Sequence, residues 1–180
     1  LWQIRNFTKF YWVSGGLFAE MDIHQIDEIC WIKGAYPVAA HGVGGRAANN
    51  KDCSQNLDSF SVEWTFPDGT KAYDVVRYIP KCYDEFATYV HGTRCAAQFS
   101  GNIHAGTVQI YQDQVCLPRN VAWRAPDEEI NPWQAEWNVL LDAVRHNRPH
   151  NEARRAALAN LADIMGRAGT NRGRGVTWDG

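Results

Sequence analysis

Apolar positions recur at helical spacing between residues 15 and 31, and they predict a helix entered through the diglycine turn Gly15-Gly16. The apolar stripe of this helix consists of Ala19, Ile23, Ile26 and Cys30. Gly34 is suited to end the helix as a C-cap, and Pro37 prevents its continuation. One amphipathic helix is therefore predicted to follow an extended lead-in over residues 1–14.

Alternation of apolar and polar residues over residues 60–66 predicts a strand and is the clearest β signal in the chain. Pro67-Asp68-Gly69 is a turn sequence, and residues 72–79 are predicted to return as the second strand of a hairpin. Further strands are predicted at residues 38–43, 85–90, 95–99 and 107–111. Short connections favour an antiparallel meander, with one face left for helices or another subunit to cover.

Two helices are predicted near the C-terminal end. Asn131 is placed to cap the first helix, with Pro132 at its first position and Gln134 three residues after the cap. The predicted buried stripe of that helix consists of Trp133, Trp137, Leu140 and Val144. The next helix begins at the cap Asn151 and continues to about residue 168. Residues 44–56 are predicted to form a loop and residues 114–130 to be irregular.

The predicted order of elements is helix, sheet and two helices, which is typical of an α+β fold rather than of alternating β-α units. With 180 residues the chain is expected to form a single domain over residues 1–180. Because the first residue is Leu1, without an initiator Met or a leader, we expect the chain to be a piece of a longer protein.

Composition narrows the possible partners. The net charge is -2 with no basic run, which argues against nucleic acid as the main partner. No apolar stretch is long enough to span a bilayer. The cysteines are odd in number and have no C-x-x-C spacing, so we expect buried free thiols rather than a zinc site or a complete disulfide framework; they are Cys30, Cys53, Cys82, Cys95 and Cys116.

A polar stripe on the first helix is the main candidate for chemistry. It consists of Glu20, His24, Asp27 and Trp31, at positions i, i+4, i+7 and i+11. Carboxylates that flank an imidazole can fix its tautomer and suit it to general acid/base work on a substrate hydroxyl. The alternative is a solvated face with an ordinary Glu-His pair. The 8 Trp residues fill cores first, but in a polar cleft aromatic rings also stack on sugars.

Other site types have weaker signals. Residues 42–45 contain three glycines but lead into a loop rather than a helix, so a dinucleotide fingerprint is not indicated. His24 with Glu20 or Asp27 has helical metal-ligand spacing, but no third strong ligand is identifiable, and metal binding stays a minority hypothesis. No serine lies in a nucleophile elbow, and no cysteine has an evident histidine partner.

Several motifs resemble the C-terminal domain of the glucose-fructose oxidoreductase / inositol dehydrogenase family, also called Gfo/Idh/MocA. These motifs are Gly15-Gly16, Glu20-x-x-x-His24-x-x-Asp27, residues 31–38, residues 66–70, His91-Gly92-Thr93, residues 131–136, residues 148–152, Gly166-Arg167 and residues 176–179. The resemblance extends from one end of the chain to the other but covers only one domain of such an enzyme.

The resemblance implies an open, mostly antiparallel sheet with helices packed on one face, the other face serving homo-oligomer contacts. It also implies that a Rossmann domain binding NAD or NADP precedes Leu1 in the parent protein, so this domain alone binds no cofactor and is not expected to be active. His24 is implied to be the proton relay, Glu20 its partner or a ligand of a substrate hydroxyl, and Asp27 a supporting carboxylate. The candidate substrate-binding aromatics are Trp31, Tyr11 and Trp12.

Two points depart from the family or stay open. Most members have Asp where Glu20 stands, so the choice among sugars and polyols is not defined. The alternatives are a non-catalytic carbohydrate-binding or assembly domain and a metal-assisted sugar lyase or hydrolase. Family resemblance admits either the bacterial cytoplasm or export to the periplasm.

Overall fold

A computed structural model describes residues 1–47, 54–99, 108–126 and 131–178. Its contacts divide the chain into two compact units, which are described separately. Unit 1 comprises Leu1–Cys82 with Ala153–Gly180, and unit 2 comprises Tyr83–Glu152. That residues 1–180 form a single domain stays a prediction.

The bounds of the elements follow the chain order. The helices are α1 (Trp2–Arg5), α2 (Ile23–Lys33), α3 (Pro132–Arg145) and α4 (Ala153–Arg172). The strands are β1 (Ala39–Gly45), β2 (Ser59–Thr65), β3 (Lys71–Arg77), β4 (Thr88–His91), β5 (Ala96–Phe99), β6 (Val108–Tyr111), β7 (Val121–Arg124) and β8 (Val176–Thr177). A π-helical turn covers Phe18–Asp22, and 3-10 turns cover Phe7–Lys9 and Pro118–Asn120.

The predicted hairpin is confirmed as β2 and β3, which pair antiparallel in unit 1. In the turn, the backbone N–H of Phe66 donates to the carbonyl oxygen of Thr70 at 2.9 Å. Gly69 has φ 81°, a left-handed conformation that glycine adopts without a steric penalty. β1 pairs with the other edge of β2, and β8 completes a sheet of order β3-β2-β1-β8.

The core of unit 1 lies between this sheet and α4. Alternate residues of β2 are buried, with Trp64 only 2% exposed. The indole Nε1–H of Trp64 donates to the carbonyl oxygen of Ala162 on α4 at 3.0 Å, so the large ring is buried with its polar atom satisfied. The core cluster consists of Phe18, Ile26, Cys30, Ala40, Phe60, Val62, Trp64, Ala162, Met165 and Val176.

The first predicted helix is confirmed as the π-helical turn followed by α2. Ile26 and Cys30 of its predicted apolar stripe are buried, at 3% and 4% exposure. Gly34 caps the end of α2 in the left-handed conformation, with φ 60°. The prediction that residues 1–14 are extended was wrong, because this segment contains α1 and a 3-10 turn. Aromatic residues that pack against one another over a short segment are compatible with tight turns as well as with a strand.

Unit 2 contains an antiparallel meander of order β4-β5-β6-β7. The predicted strands at residues 85–90, 95–99 and 107–111 correspond to β4, β5 and β6 within the described residues. β7 corrects the prediction that residues 114–130 are irregular. The strand has four residues and lies between Pro118 and Pro126, so its sequence signal was too short to separate from the flanking turns.

The start of α3 is as predicted, but its burial is not. The Asn131 side chain accepts a hydrogen bond from the backbone N–H of Trp133 at 3.0 Å, which confirms the cap. The predicted buried stripe is wrong: Trp133, Trp137, Leu140 and Val144 are 58%, 58%, 41% and 70% exposed. Helical periodicity identifies an apolar face, and it does not determine what covers that face.

The predicted α+β class with an open, mostly antiparallel sheet is confirmed, and the described strands form two such sheets rather than one. In unit 1, α4 contacts β1, β2 and β8 on one face of the sheet. The residues that alternate to the opposite face of this sheet are largely exposed, among them Val43, Tyr73 and Val75. None of the helices in the described residues is both long enough and apolar enough to cross a membrane.

Candidate functional site

The entry to the helix that carries Glu20 and His24 requires its two glycines. A Cβ at Gly15 would lie 2.2 Å from the Cβ of Ala19, and a Cβ at Gly16 would lie 2.9 Å from the Cβ of Asn56. Gly16 also has φ 73°, and its backbone N–H donates to the Ser14 hydroxyl at 2.9 Å. The diglycine therefore lets the chain turn closely against Asn56 before the π-helical turn begins.

Glu20 lies in the π-helical turn on the exposed side of the helix. The buried hydroxyl of Ser14 donates to its carboxylate oxygen Oε1 at 2.8 Å. A fixed carboxylate at an exposed position can accept a hydrogen bond from a substrate hydroxyl. Wide π-helical turns of this kind occur often at functional sites.

His24 and Asp27 follow on the same helix in different environments. His24 is exposed, whereas Asp27 is partly buried and forms an ion pair with Arg155 of α4, at 2.7 and 2.5 Å from Arg155 Nη1 to the two carboxylate oxygens. The guanidinium of Arg155 also lies 5.2 Å from the ring centre of Trp31. Asp27 and Trp31 are thus joined through a cation that the sequence pattern did not identify.

Arg167 of α4 holds the aromatic segment that precedes the helix. Its guanidinium lies 4.2 Å from the ring centre of Tyr11, and its Nη2 donates at 3.3 Å both to the carbonyl oxygen of Ser14 and to Oδ1 of Asn56. Trp12 is 70% exposed. Arg167 therefore fixes the segment whose Ser14 hydroxyl binds Glu20. The motif Gly166-Arg167 was the one sequence signal for it.

Four of the six predicted site residues are connected in two pairs through other side chains. Asp27 and Trp31 share Arg155, and Tyr11 is linked through Arg167 and Ser14 to Glu20. His24 lies between these two groups in sequence, and its side chain is exposed. The roles assigned to the six residues stay predictions.

Buried carboxyl groups behind the helix were missed by the sequence analysis. Asp22, at the end of the π-helical turn, and Asp163, on α4, are 7% and 2% exposed, and Asp74 on β3 is partly buried. Burial, and then the charges of Asp74 and Asp163, raise the pKa of Asp22. Burial also raises the pKa of Asp74 and raises that of Asp163 to about 7, with Arg167 opposing the latter shift.

A cleft of about 250 Å³, lined by both polar and apolar groups, lies elsewhere in unit 1, and its described lining does not include His24 or Glu20. Arg46 lies in this cleft and donates from Nη1 to the carbonyl oxygens of Ser54 and Asn56. The carboxylate of Asp58 accepts from the backbone N–H of Ala47 at 3.0 and 3.1 Å. The remaining lining includes Lys9 and Tyr78, so the cleft combines cations with an aromatic ring.

The glycines of β1 have a packing role. A Cβ at Gly42 would lie 2.1 Å from the hydroxyl oxygen of Thr170, and a Cβ at Gly44 would lie 2.7 Å from the methyl group of the same residue. α4 therefore packs closely on β1 at these glycines. Glycines that pack under a helix do not form a binding site for a dinucleotide phosphate, because that site needs glycines between a strand and the start of a helix.

Metal binding and cysteine chemistry find little support in the described residues. They contain no group of three or more His, Cys, Asp or Glu side chains that could hold a metal ion. Cys30 is a buried free thiol, and burial followed by the charge of Asp27 raises its pKa to about 12. A thiol that stays protonated at neutral pH is a poor nucleophile. Cys82, Cys95 and Cys116 are partly buried free thiols, and Cys53 lies outside the described residues.

Comparisons with known proteins show similarity in structure but not in sequence. No protein-family model matches the chain, and no curated protein sequence matches it. Aldose-aldose oxidoreductase from Caulobacter crescentus, solved with glycerol, matches 86% of this chain over 45% of its own, with a TM-score of 0.69 and 17% identity. Scyllo-inositol dehydrogenase from Lactobacillus casei, solved with NAD(H) and scyllo-inositol, matches 93% of this chain over 49% of its own, with a TM-score of 0.67 and 19% identity.

A third solved structure, UDP-N-acetylglucosamine 3-dehydrogenase from Acidithiobacillus ferrooxidans, matches 83% of this chain over 45% of its own, with a TM-score of 0.64 and 18% identity. The chain thus spans a little under half the length of these proteins. At such identities the similarity establishes the fold. The resemblance to Gfo/Idh/MocA oxidoreductases is therefore confirmed at the level of the fold.

Proposed function

We propose that the chain is the substrate-binding and oligomerisation part of an NAD(P)-dependent oxidoreductase that acts on a sugar or a polyol. The observation that carries the proposal is the fold, which matches an aldose-aldose oxidoreductase over 86% and a scyllo-inositol dehydrogenase over 93% of this chain. The accessible carboxylate and imidazole on one helix add chemistry suited to a hydroxylated substrate.

In this proposal His24 is the proton relay. Oxidation of an alcohol to a carbonyl removes a hydride from carbon and a proton from oxygen. The nicotinamide supplies the hydride acceptor, and it would be bound by a part of the protein outside these 180 residues. His24 takes the proton of the substrate hydroxyl during oxidation and returns it during reduction.

Glu20 is proposed to bind a second hydroxyl or to orient the imidazole, and its bond from Ser14 supports that role by fixing the carboxylate. Asp27 is proposed to act indirectly, because its ion pair with Arg155 holds α2 against α4. Trp12 and Trp31, 70% and 72% exposed, offer rings that can stack on a sugar, and Tyr11 is the third candidate.

The test uses the full-length protein and measures reduction of NAD⁺ and of NADP⁺ against a panel of sugars and polyols. We expect at least one combination of cofactor and substrate to give saturable turnover. No turnover with any pair, in a protein that binds either nicotinamide cofactor, would contradict the proposal.

Oligomerisation is proposed to use the sheet face opposite α4. Val43, Tyr73 and Val75 are 62%, 68% and 72% exposed on that face. Sedimentation velocity should show a dimer or larger species for the full-length protein, and Val75→Lys should shift it toward monomer. A monomer at all concentrations would contradict this part of the proposal.

A second candidate function is that of a non-catalytic carbohydrate-binding domain, and the cleft beside Lys9, Arg46 and Tyr78 favours it. Titration calorimetry of the 180-residue chain with the same panel distinguishes the two. Saturable binding without cofactor that is lost in Tyr78→Ala but kept in His24→Ala would support the binding domain. The third alternative, a metal-assisted lyase or hydrolase, has no observation in its favour among the described residues.

A further inference from the structure

Two buried carboxyl groups, Asp22 and Asp163, and the partly buried Asp74 lie on three different elements behind the helix start, close enough for their charges to interact. Asp22 ends the π-helical turn, Asp74 lies on β3, and Asp163 lies on α4. Each has one carboxyl oxygen that is buried without a hydrogen-bond partner. Such groups are costly to bury in the charged form, because no protein donor in the described part of the chain compensates these oxygens for the lost solvation.

Positive charge near the cluster is insufficient to neutralise it. In the described part of the chain, the charged groups that act on these carboxyls are the carboxyls themselves and Arg167, which faces Asp163 from the next turn of α4. The guanidinium of Arg167 also binds Ser14 and Asn56. The described carboxyl groups do not form a cluster that could share a metal ion. Protons are therefore the remaining means of neutralising the cluster.

The chemistry of burial agrees with proton uptake. Burial is the largest cause that raises the pKa of Asp22, Asp74 and Asp163, and mutual repulsion adds to it for Asp22 and Asp163. The three groups therefore carry fewer charges at neutral pH than exposed aspartates would.

The position of Asp22 connects the cluster to the candidate site. Asp22 is the last residue of the turn that contains Glu20, and His24 follows two residues later. Gln25, one residue after His24, is 8% exposed, and both polar atoms of its side chain are also buried without a partner. Ionisation of Asp22 would draw its side chain toward water and disturb the turn that sets the positions of Glu20 and His24.

We propose that Asp22, Asp74 and Asp163 form a proton-binding cluster that fixes the helix start bearing Glu20 and His24, so that loss of protons from the cluster shifts this segment. The roles of Glu20 and His24 in turnover rest on the proposed function. The conformational part does not, because it concerns this chain alone.

The test is a pH titration of the 180-residue chain followed by amide NMR signals of residues 18–24. In the wild type, these signals should shift together in a transition above about pH 6. Asp22→Asn, which mimics the neutral carboxyl, should hold them at their low-pH positions. Asp163→Asn should move the midpoint to lower pH, because it removes one of the charges that repel Asp22. Asp84→Asn, at an exposed carboxyl, is the control and should titrate like the wild type.

His24→Gln separates the cluster from the titration of the imidazole. If the transition vanishes in His24→Gln and persists in Asp22→Asn, the proposal is overturned. Should Asp22→Asn fail to fold at any pH, neutrality of this side chain is not what the fold requires, and the proposal is equally overturned. The titration needs neither substrate nor cofactor. A negative titration therefore leaves the proposed function unaffected, and a negative turnover assay leaves the proposal of a proton-binding cluster unaffected.

Discussion

Residue 166 is a glycine because the indole ring of Trp64 occupies the space beside it. A Cβ at this position would lie 2.6 Å from a ring carbon of Trp64 and 3.1 Å from a methyl group of Val62. The same ring donates to Ala162 one turn earlier on α4. The close approach of helix and strand thus depends on an absent side chain, which a hydrophobic pattern does not reveal because glycine contributes nothing to it.

Gly166→Ala is therefore predicted to destabilise the chain by about 1–3 kcal/mol, since the added methyl group must displace a buried ring. Gly45→Ala is the matched control, because a Cβ there has no atom within 4 Å. Its effect should stay within about 0.5 kcal/mol. The measurement is urea denaturation followed by tryptophan fluorescence. Equal midpoints for both variants would show that the contact with Trp64 does not limit the packing.

At the scale of elements, the sequence predicts where helices and turns begin and end better than it predicts their local backbone geometry. The caps Gly34 and Asn131 and the hairpin turn at Gly69 were identified, because each follows from the chemistry of one or two residues. The π-helical turn at Phe18–Asp22 was not, because apolar spacing is similar in a helix with one widened turn. The exposure of the apolar stripe of α3 was also not predicted, since an apolar stripe does not identify what covers it.

The cap at Gly34 gives a test at this scale. Gly34→Ala should lower stability by about 1 kcal/mol, because a left-handed backbone disfavours a Cβ. Gly34→Asn should cost less, because Asn tolerates that conformation and the surroundings are open, with no atom within 4 Å of a Cβ. Thermal unfolding of both variants measures the difference. A larger loss for Asn than for Ala would mean that the φ angle is not the constraint.

For the whole molecule, the fold class and the helix that carries the candidate residues could be predicted from the sequence, whereas the roles of those residues stay predictions. The helix with Glu20 and His24 on its exposed side was predicted from spacing, and the fold matches solved sugar and polyol oxidoreductases. Arg155, Arg167 and the buried carboxyls were missed. Their partners lie far apart along the chain, for example 128 residues between Asp27 and Arg155, and pattern analysis of a single chain does not pair such positions.

The buried carboxyls predict how global stability depends on pH. A carboxyl whose pKa is raised in the folded state, as that of Asp163 is from 3.8 to about 7, binds more protons folded than unfolded. The contribution of Asp163 to the free energy of unfolding is therefore fully present below pH 3.8 and is lost as the pH rises through 7. The free energy of unfolding should fall by an amount on the order of a few kcal/mol across that range.

Urea denaturation at a series of pH values measures this slope. Asp163→Asn should flatten it, whereas Asp84→Asn, at an exposed carboxyl, should not. A stability that rises with pH over the same interval, with the slope unchanged in Asp163→Asn, would contradict the assignment of a proton to this group.

The most direct test of the account is the effect of His24→Asn on kcat in the full-length protein, with the substrate and cofactor that the panel identifies. If His24 relays the proton, kcat should fall by at least about 100-fold, with the affinity for cofactor unchanged. His91→Asn, at an exposed histidine in unit 2, should keep wild-type kcat. A kcat for His24→Asn within about twofold of wild type would contradict the proposed role of this helix.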